Sequence, residues 1–208
     1  MTAPVRLYDL APSPNSMKVR IALNLKDIRF EKTPVASNDR AEVLRVSGQP
    51  LTPVLQHGDT ILFDSAAILR YIDANFHTGP RLFSTDYAEM KQIEQWESIG
   101  RRELTEPISL VFGQLMAGKN DPAVLERASR LMNEQTAGIE EALGKGDWLV
   151  AGRMTAADIT IAPDVHYGML PAAPEAGPVH QFFAQSLKLG PGRDRTRAWV
   201  RRVMAYDR

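Results

Sequence analysis

Thr52-Pro53-Val54-Leu55 and, nine residues further on, Asp64-Ser65-Ala66-Ala67-Ile68 are the stretches on which the reading of this chain turns. The first puts a proline at the start of a short strand. The second puts an acidic residue and a hydroxyl at a helix start, where free backbone N–H groups and the positive end of the helix dipole favour anions. A chain that brings the two together offers an extended peptide a backbone edge to pair with and an anchor for its charged end.

Between them, Val54-Leu55-Gln56 and Thr60-Ile61-Leu62 flank His57-Gly58-Asp59, a hairpin pattern in which glycine supplies a positive φ. Upstream, Val5-Arg6-Leu7-Tyr8-Asp9-Leu10 alternates as a strand does. Ala11-Pro12-Ser13-Pro14 is a turn leading into a helix over Met17 to Lys26, with Val19, Ala22 and Leu23 on one face and Asp27 closing it. Phe30 to Val35 reads as a second strand, and Ser37 to Gly48 holds a short helix at most. Ser65 to Asn75 is helical, with Ile68, Leu69 and Ile72 along its apolar stripe. The order strand, helix, strand, hairpin, helix implies a small α/β unit with a parallel pair and an antiparallel hairpin.

His77-Thr78-Gly79-Pro80 breaks the pattern and reads as a linker. Beyond it the chain is helical. From Tyr87 to Leu115 apolar residues recur in steps of three and four (Ile93, Trp96, Gly100, Leu104, Ile108, Val111, Phe112, Leu115), which predicts one long amphipathic helix kinked at Pro107. Val124 to Leu143 gives another. Thr155-Ala156-Ala157-Asp158 is a capping box with Asp for the usual Glu, and Met154 and Ile159 hold the staple positions. Gly168 to Pro178 reads as a Pro/Ala/Gly-rich loop. Arg193 to Tyr206 is a last helix with Trp199, Val200 and Val203 inward; its arginines read as a solvated face.

The chain has 208 residues, 44% of them hydrophobic, enough for one large domain or two small ones. Its net charge of zero argues against nucleic acid or an anionic membrane as partner. With no cysteine, a disulfide, a thiolate metal site and a cysteine nucleophile are excluded, so any thiol chemistry must use a thiol from the ligand. There is no signal-peptide pattern and no membrane-length apolar run, so a cytoplasmic location is expected. His57, His77, His166 and His180 lack metal-ligand spacing, and no metal is assigned.

Taken in order, Ser13-Pro14-Asn15-Ser16-Met17-Lys18-Val19-Arg20, Thr52-Pro53-Val54-Leu55, Asp64-Ser65 and Thr155-Ala156-Ala157-Asp158-Ile159 resemble the cytosolic glutathione S-transferase superfamily across essentially the whole chain. The resemblance implies an α/β thioredoxin-like N-terminal domain (residues 1–77), a linker (78–84), an all-α C-terminal domain (85–208), glutathione as co-substrate and a homodimer. It implies that Pro53 is preceded by a cis bond, that Thr52 offers its backbone to the cysteinyl part of glutathione, and that Asp64 and Ser65 hold the γ-glutamyl end.

Ser13 falls where serine-type transferases carry their catalytic hydroxyl. Ser-Pro-Asn is similar to the Thr-Pro-Asn of nu-class and Ure2-like proteins, which implies that Asn15 shares or takes over the role of Ser13, with some disulfide reductase activity; Ser16 is a further hydroxyl. The Ser-Ser-Cys of zeta-class isomerases is absent, which argues against maleylacetoacetate isomerase. Tyr8 lies near the tyrosine of other classes and reads as packing. Leu51 departs from the family, standing where a Lys or Gln would bind the glycyl carboxylate, with Gln49 and Arg45 as replacements. Pro12, Phe112, Met116 and Tyr167 are expected to line a second-substrate pocket between the domains, under loop 168–178. The implied activity is thiolate attack on a small hydrophobic electrophile, as in detoxification. The alternatives are a glutathione-dependent disulfide reductase, or a non-catalytic interaction protein of the same fold.

Overall fold

The alternating run Val5–Asp9 forms β1, an inner strand of a four-stranded sheet ordered β2-β1-β3-β4. β2 (Glu31–Pro34) runs parallel to β1, β3 (Val54–His57) antiparallel to β1, and β4 (Thr60–Phe63) antiparallel to β3. The computed structural model describes residues 3–208, which divide into two units: the chain through Phe83 joined by Tyr206–Arg208, and Ser84–Ala205. The thioredoxin-like unit followed by helices is the α/β and all-α organisation expected of a glutathione transferase fold.

In the first unit, α1 (Pro14–Leu25) connects the parallel strands. It starts three residues before the expected Met17, because Ser13 caps it and Pro14, with φ preset for helix, occupies its first position. Lys26 closes it, and Asp27 at φ 50° turns the chain away. The short helix of the 37–48 stretch is α2 (Ala41–Ser47), stopped by Gly48. The hairpin turn is two residues, Gly58-Asp59, so His57 belongs to the strand. α3 spans Ser65–Asn75. Tyr8 is packing, as expected: it is buried in a cluster with Val43 and Val54, its hydroxyl donating to Gln56 Oε1 at 3.3 Å.

The segment after α3 is fastened to this unit rather than free. The Asp73 carboxylate accepts from the backbone N–H of Leu82 (2.8 Å) and Phe83 (3.2 Å) and from buried Lys26 Nζ (3.1 Å). Lys26 Nζ also donates to the Pro80 carbonyl at 3.2 Å. Gly79 has φ 64°, and a Cβ there would lie 2.8 Å from the Leu25 carbonyl, so only glycine fits.

In the second unit the expected single helix is divided. α4 (Tyr87–Ile99) widens into a π-helical turn, Gly100–Leu104, before α5 (Thr105–Met116). Pro107 cannot donate to the carbonyl four residues before it and its ring crowds that carbonyl; the helix opens in the turn preceding the proline instead of bending at it. α6 covers Pro122–Ala142, and α7 (Ala156–His166) is buried along its first ten residues. The Asp158 carboxylate reaches back to Thr155 N–H (2.8 Å) and also accepts from Leu149 N–H (3.1 Å) and Trp199 Nε1 (2.8 Å). Burial raises its pKa against these donors.

α8 (Pro178–Ser186) has no counterpart in the sequence reading, and α9 (Asp194–Met204) closes the unit. The arginines at α9 are not simply solvated. Arg193 NH2 donates to the Asn133 carbonyl (2.7 Å), Arg197 NH2 to that of Leu189 (2.6 Å) and Arg202 NH2 to that of Asp147 (2.7 Å). No helix among the described residues is long and apolar enough to cross a membrane.

Candidate functional site

Tyr8, Val54 and Phe63 lie in one row across the sheet, since Tyr8 pairs with Val54 and Val54 with Phe63. The row fixes where three loops emerge. The chain leaves β1 just after Tyr8 toward Ser13, enters β3 just before Val54 through Thr52-Pro53, and leaves β4 just after Phe63 into Asp64-Ser65. Strand pairing therefore gathers these segments at one end of the sheet.

Ser13 is the N-cap of α1, with extended backbone (φ −88°, ψ 122°). Its Oγ accepts from Ser16 N–H at 3.4 Å. A hydroxyl that accepts at oxygen still has its proton to give, so the cap and a donor role coexist. Ser16 is fully buried, and its own Oγ accepts from Leu10 N–H at 3.4 Å, which turns it into the loop. Asn15 is exposed, and its Oδ1 accepts from Lys18 Nζ at 3.1 Å. An ammonium only donates, so this bond fixes the amide's sense and leaves Nδ2 as the outward donor.

The Thr52–Pro53 bond is cis. Pairing of β3 begins at Val54, so the Thr52 backbone stands beyond the ladder. Asp64, at φ 70°, caps α3: Oδ1 accepts from Ala66 N–H (2.9 Å) and Ala67 N–H (3.1 Å). A non-glycine residue in this conformation costs about 1–3 kcal/mol, offset here by the two cap bonds. Ser65, half-buried, is the first residue of the helix.

Gln49 is turned inward. Its Nε2 donates to Ser47 Oγ (2.8 Å) and to the Leu51 carbonyl (3.0 Å), and its Oε1 accepts from Leu51 N–H (2.7 Å). Its amide is engaged by the loop, while the Leu51 side chain is 72% exposed. Arg45 is exposed and faces Glu42 at 3.6 Å. The cation beside Thr52 is Arg40, whose NH1 donates to Thr52 Oγ1 at 3.5 Å. Sequence reasoning missed it, and its only signal was a charge just ahead of α2.

Residues 7–80 match the family model described as the glutathione S-transferase N-terminal domain. Among curated proteins the chain is similar to glutathione S-transferase 3 of Zea mays, 27% identical over 85% of this chain and 81% of that one. It is also similar to glutathione S-transferase F10 of Arabidopsis thaliana, 27% identical over 74% of this chain and 76% of that one. The solved structure of poplar glutathione transferase F1 superposes with a TM-score of 0.74 at 21% identity, over 96% of this chain and 92% of that one. The chain thus matches the glutathione S-transferase family over its N-terminal unit, and the whole chain has the glutathione transferase fold.

The remaining residues expected at the site of this glutathione transferase fold lie as follows. Pro12 is exposed in the loop after β1. Phe112 and Met116 lie one turn apart on α5 and are 46% and 70% exposed. Tyr167 is buried, its ring edge-on to Phe183 with centroids 4.6 Å apart, which is the geometry of a packing residue. Residues 170–177 form the loop before α8.

Proposed function

We propose that the protein is a glutathione transferase that activates the thiol of glutathione for attack on an electrophilic, mainly apolar second substrate. The observation that carries this reading is Ser13: a hydroxyl at the N-terminus of α1, with its proton to donate, at the end of the sheet where Thr52 and Asp64-Ser65 also emerge. A free thiol has a pKa of about 8.5 and is mostly protonated at neutral pH. A donor on the sulfur and the positive helix end both favour the thiolate, which is the nucleophile.

Ser13 is the main donor and Asn15 Nδ2 assists. The Thr52 backbone, beyond the strand ladder, pairs with the cysteinyl residue as a strand edge would. Ser65, through its hydroxyl and its own backbone N–H, takes the γ-glutamyl carboxylate, and Asp64 both orders the helix start and faces the ammonium. Gln49 and Pro53 shape the loop instead of touching the ligand. With Leu51 apolar, Arg40 is the cation for the glycyl carboxylate. Pro12, in the loop before Ser13, serves the second substrate. The protein acts in the cytoplasm as a homodimer, a property taken from the family resemblance.

Calorimetric titration of reduced glutathione, with Ser65→Ala as control, tests the reading. Saturable binding lost in the variant supports it; no binding at millimolar glutathione sinks it. The exposed Leu51 favours one alternative, a non-catalytic interaction protein, which predicts that negative result. The Asn15 amide favours another, a disulfide reductase. That enzyme binds glutathione equally but turns over disulfides in preference to electrophiles.

A further inference from the structure

Arg20 joins three separate pieces of the first unit. Its guanidinium is buried on α1. Nε and NH2 grip both oxygens of Asp207 at 2.6 and 3.0 Å. NH1 meets Asp9 Oδ1 at 2.5 Å, and NH2 also donates to the Ala11 carbonyl at 3.2 Å. One turn along the helix, Asn24 Nδ2 donates to the carbonyls of Tyr206 (2.9 Å) and Arg208 (3.3 Å). Burial works against the cation, but Asp207 and Asp9 outweigh it and raise the Arg20 pKa.

The pieces so joined surround the Ser13 loop. Asp9 ends β1, and Ala11 sits two residues before Ser13. The rest of the loop is held locally, by Ser13 N–H to the Leu10 carbonyl (2.9 Å) and Leu10 N–H to Ser16 Oγ. Asp9 alone, touching NH1, can hold the charge but not the guanidinium plane. The two parallel bonds from Asp207 fix that plane, and the plane decides whether NH2 reaches the Ala11 carbonyl.

We propose that Asp207 is a positioning residue: through Arg20 it holds the Ala11 carbonyl and the end of β1, and so sets where the Ser13 hydroxyl stands against the ligand sulfur. This rests on the thiol activation proposed above. A hydroxyl-to-sulfur hydrogen bond weakens steeply with angle and distance, so a small drift of the loop acts on the thiolate before it acts on peptide binding, which Thr52 and Ser65 carry.

The test is a pH titration of glutathione bound to the full chain, followed by thiolate absorbance, for wild type and Asp207→Asn, with glutathione affinity by calorimetry. The expected result is a thiol pKa about one unit higher in the variant, hence turnover lower by up to about tenfold at neutral pH, with affinity changed less than about twofold. An unchanged thiol pKa in a folded Asp207→Asn overturns the inference while leaving the transferase reading intact. An unshifted thiol in the wild type overturns both. If Asp207→Asn does not fold, Asn24→Ala loosens the same segment while leaving the buried charges paired. There a shift of about half a unit supports the inference, and none overturns it.

Discussion

The side-chain amide of Gln49 pairs with the backbone of Leu51 in both directions, accepting its N–H at 2.7 Å and donating to its carbonyl at 3.0 Å. Gln49 thereby fastens the loop that ends at Thr52, with its amide engaged by the loop itself. Replacing it with Ala removes three neutral hydrogen bonds, two to Leu51 and one to Ser47 Oγ, each about 0.5–1.5 kcal/mol. Glutathione affinity should fall on the order of tenfold in Gln49→Ala, because the Thr52 edge is no longer held in place. Leu51→Lys should act oppositely and tighten binding about tenfold, since a charge-assisted bond to the glycyl carboxylate contributes about 1.5–3 kcal/mol. Calorimetric titration of both variants checks the pair; tighter binding in Gln49→Ala would mean that the amide blocks the site.

Ser13 carries two roles that substitution can separate. Ser13→Ala loses the helix cap, which costs about 1 kcal/mol of stability, and loses the donor to sulfur. The bound thiol should titrate about one unit higher, and kcat/KM at neutral pH should fall by up to about tenfold. Asn15→Ala should move the thiol less, since its amide is the assisting donor. A larger shift in Asn15→Ala than in Ser13→Ala would exchange their roles.

How much was legible beforehand depended on how locally each feature is determined. The start of α3 was plain in Asp64-Ser65, because an N-cap is a contact between residues two and three apart. The capping box before α7 was plain for the same reason. α8 was not, because its Gly177 and Pro178 carry the residue types of a loop as much as those of a helix start, and the helix is only nine residues long. The apolar steps from Ile93 to Leu115 fitted one helix. That pattern cannot tell a bend at Pro107 from a wider turn before it, which depends on how the freed carbonyls are satisfied. The pairing of Gln49 with Leu51 was not legible, because it has no pattern of its own. Arg20 and Asp207 are 187 positions apart, and nothing but the fold brings them together.

Asp64 offers a cleaner separation of charge from cap. Only Oδ1 accepts from the α3 backbone, and an asparagine oxygen can do the same. Asp64→Asn should therefore melt within about 1 kcal/mol of wild type, as capping by Asn and Asp is comparable. Its glutathione affinity should fall about tenfold through loss of the carboxylate facing the γ-glutamyl ammonium. Equal loss of binding and of stability would assign Asp64 to the helix alone.

Glu140 predicts a pH dependence within the helical unit. No side chain of α9 caps its own N-terminus; Glu140 on α6 does so instead. Its carboxylate accepts from Arg195 N–H (3.1 Å), Thr196 N–H (2.9 Å) and the Thr196 hydroxyl (2.8 Å). Burial pushes its pKa up, but the Thr196 and Arg195 donors and the Arg195 charge outweigh this and hold it below the ordinary 4.5. A carboxylate depressed in the folded state binds fewer protons there than in the unfolded chain. Its stabilisation is complete above about pH 4.5 and is lost as pH falls through the folded value. Glu140→Gln keeps one acceptor but not the charge. At neutral pH it should unfold at a lower urea midpoint, by about 1–2 kcal/mol. Below pH 4 the difference from wild type should shrink toward the residual loss of one hydrogen bond. Urea unfolding of both proteins across pH 3–7 checks this, and a gap that stays constant down to pH 3 would show that the carboxylate's charge adds nothing to the cap.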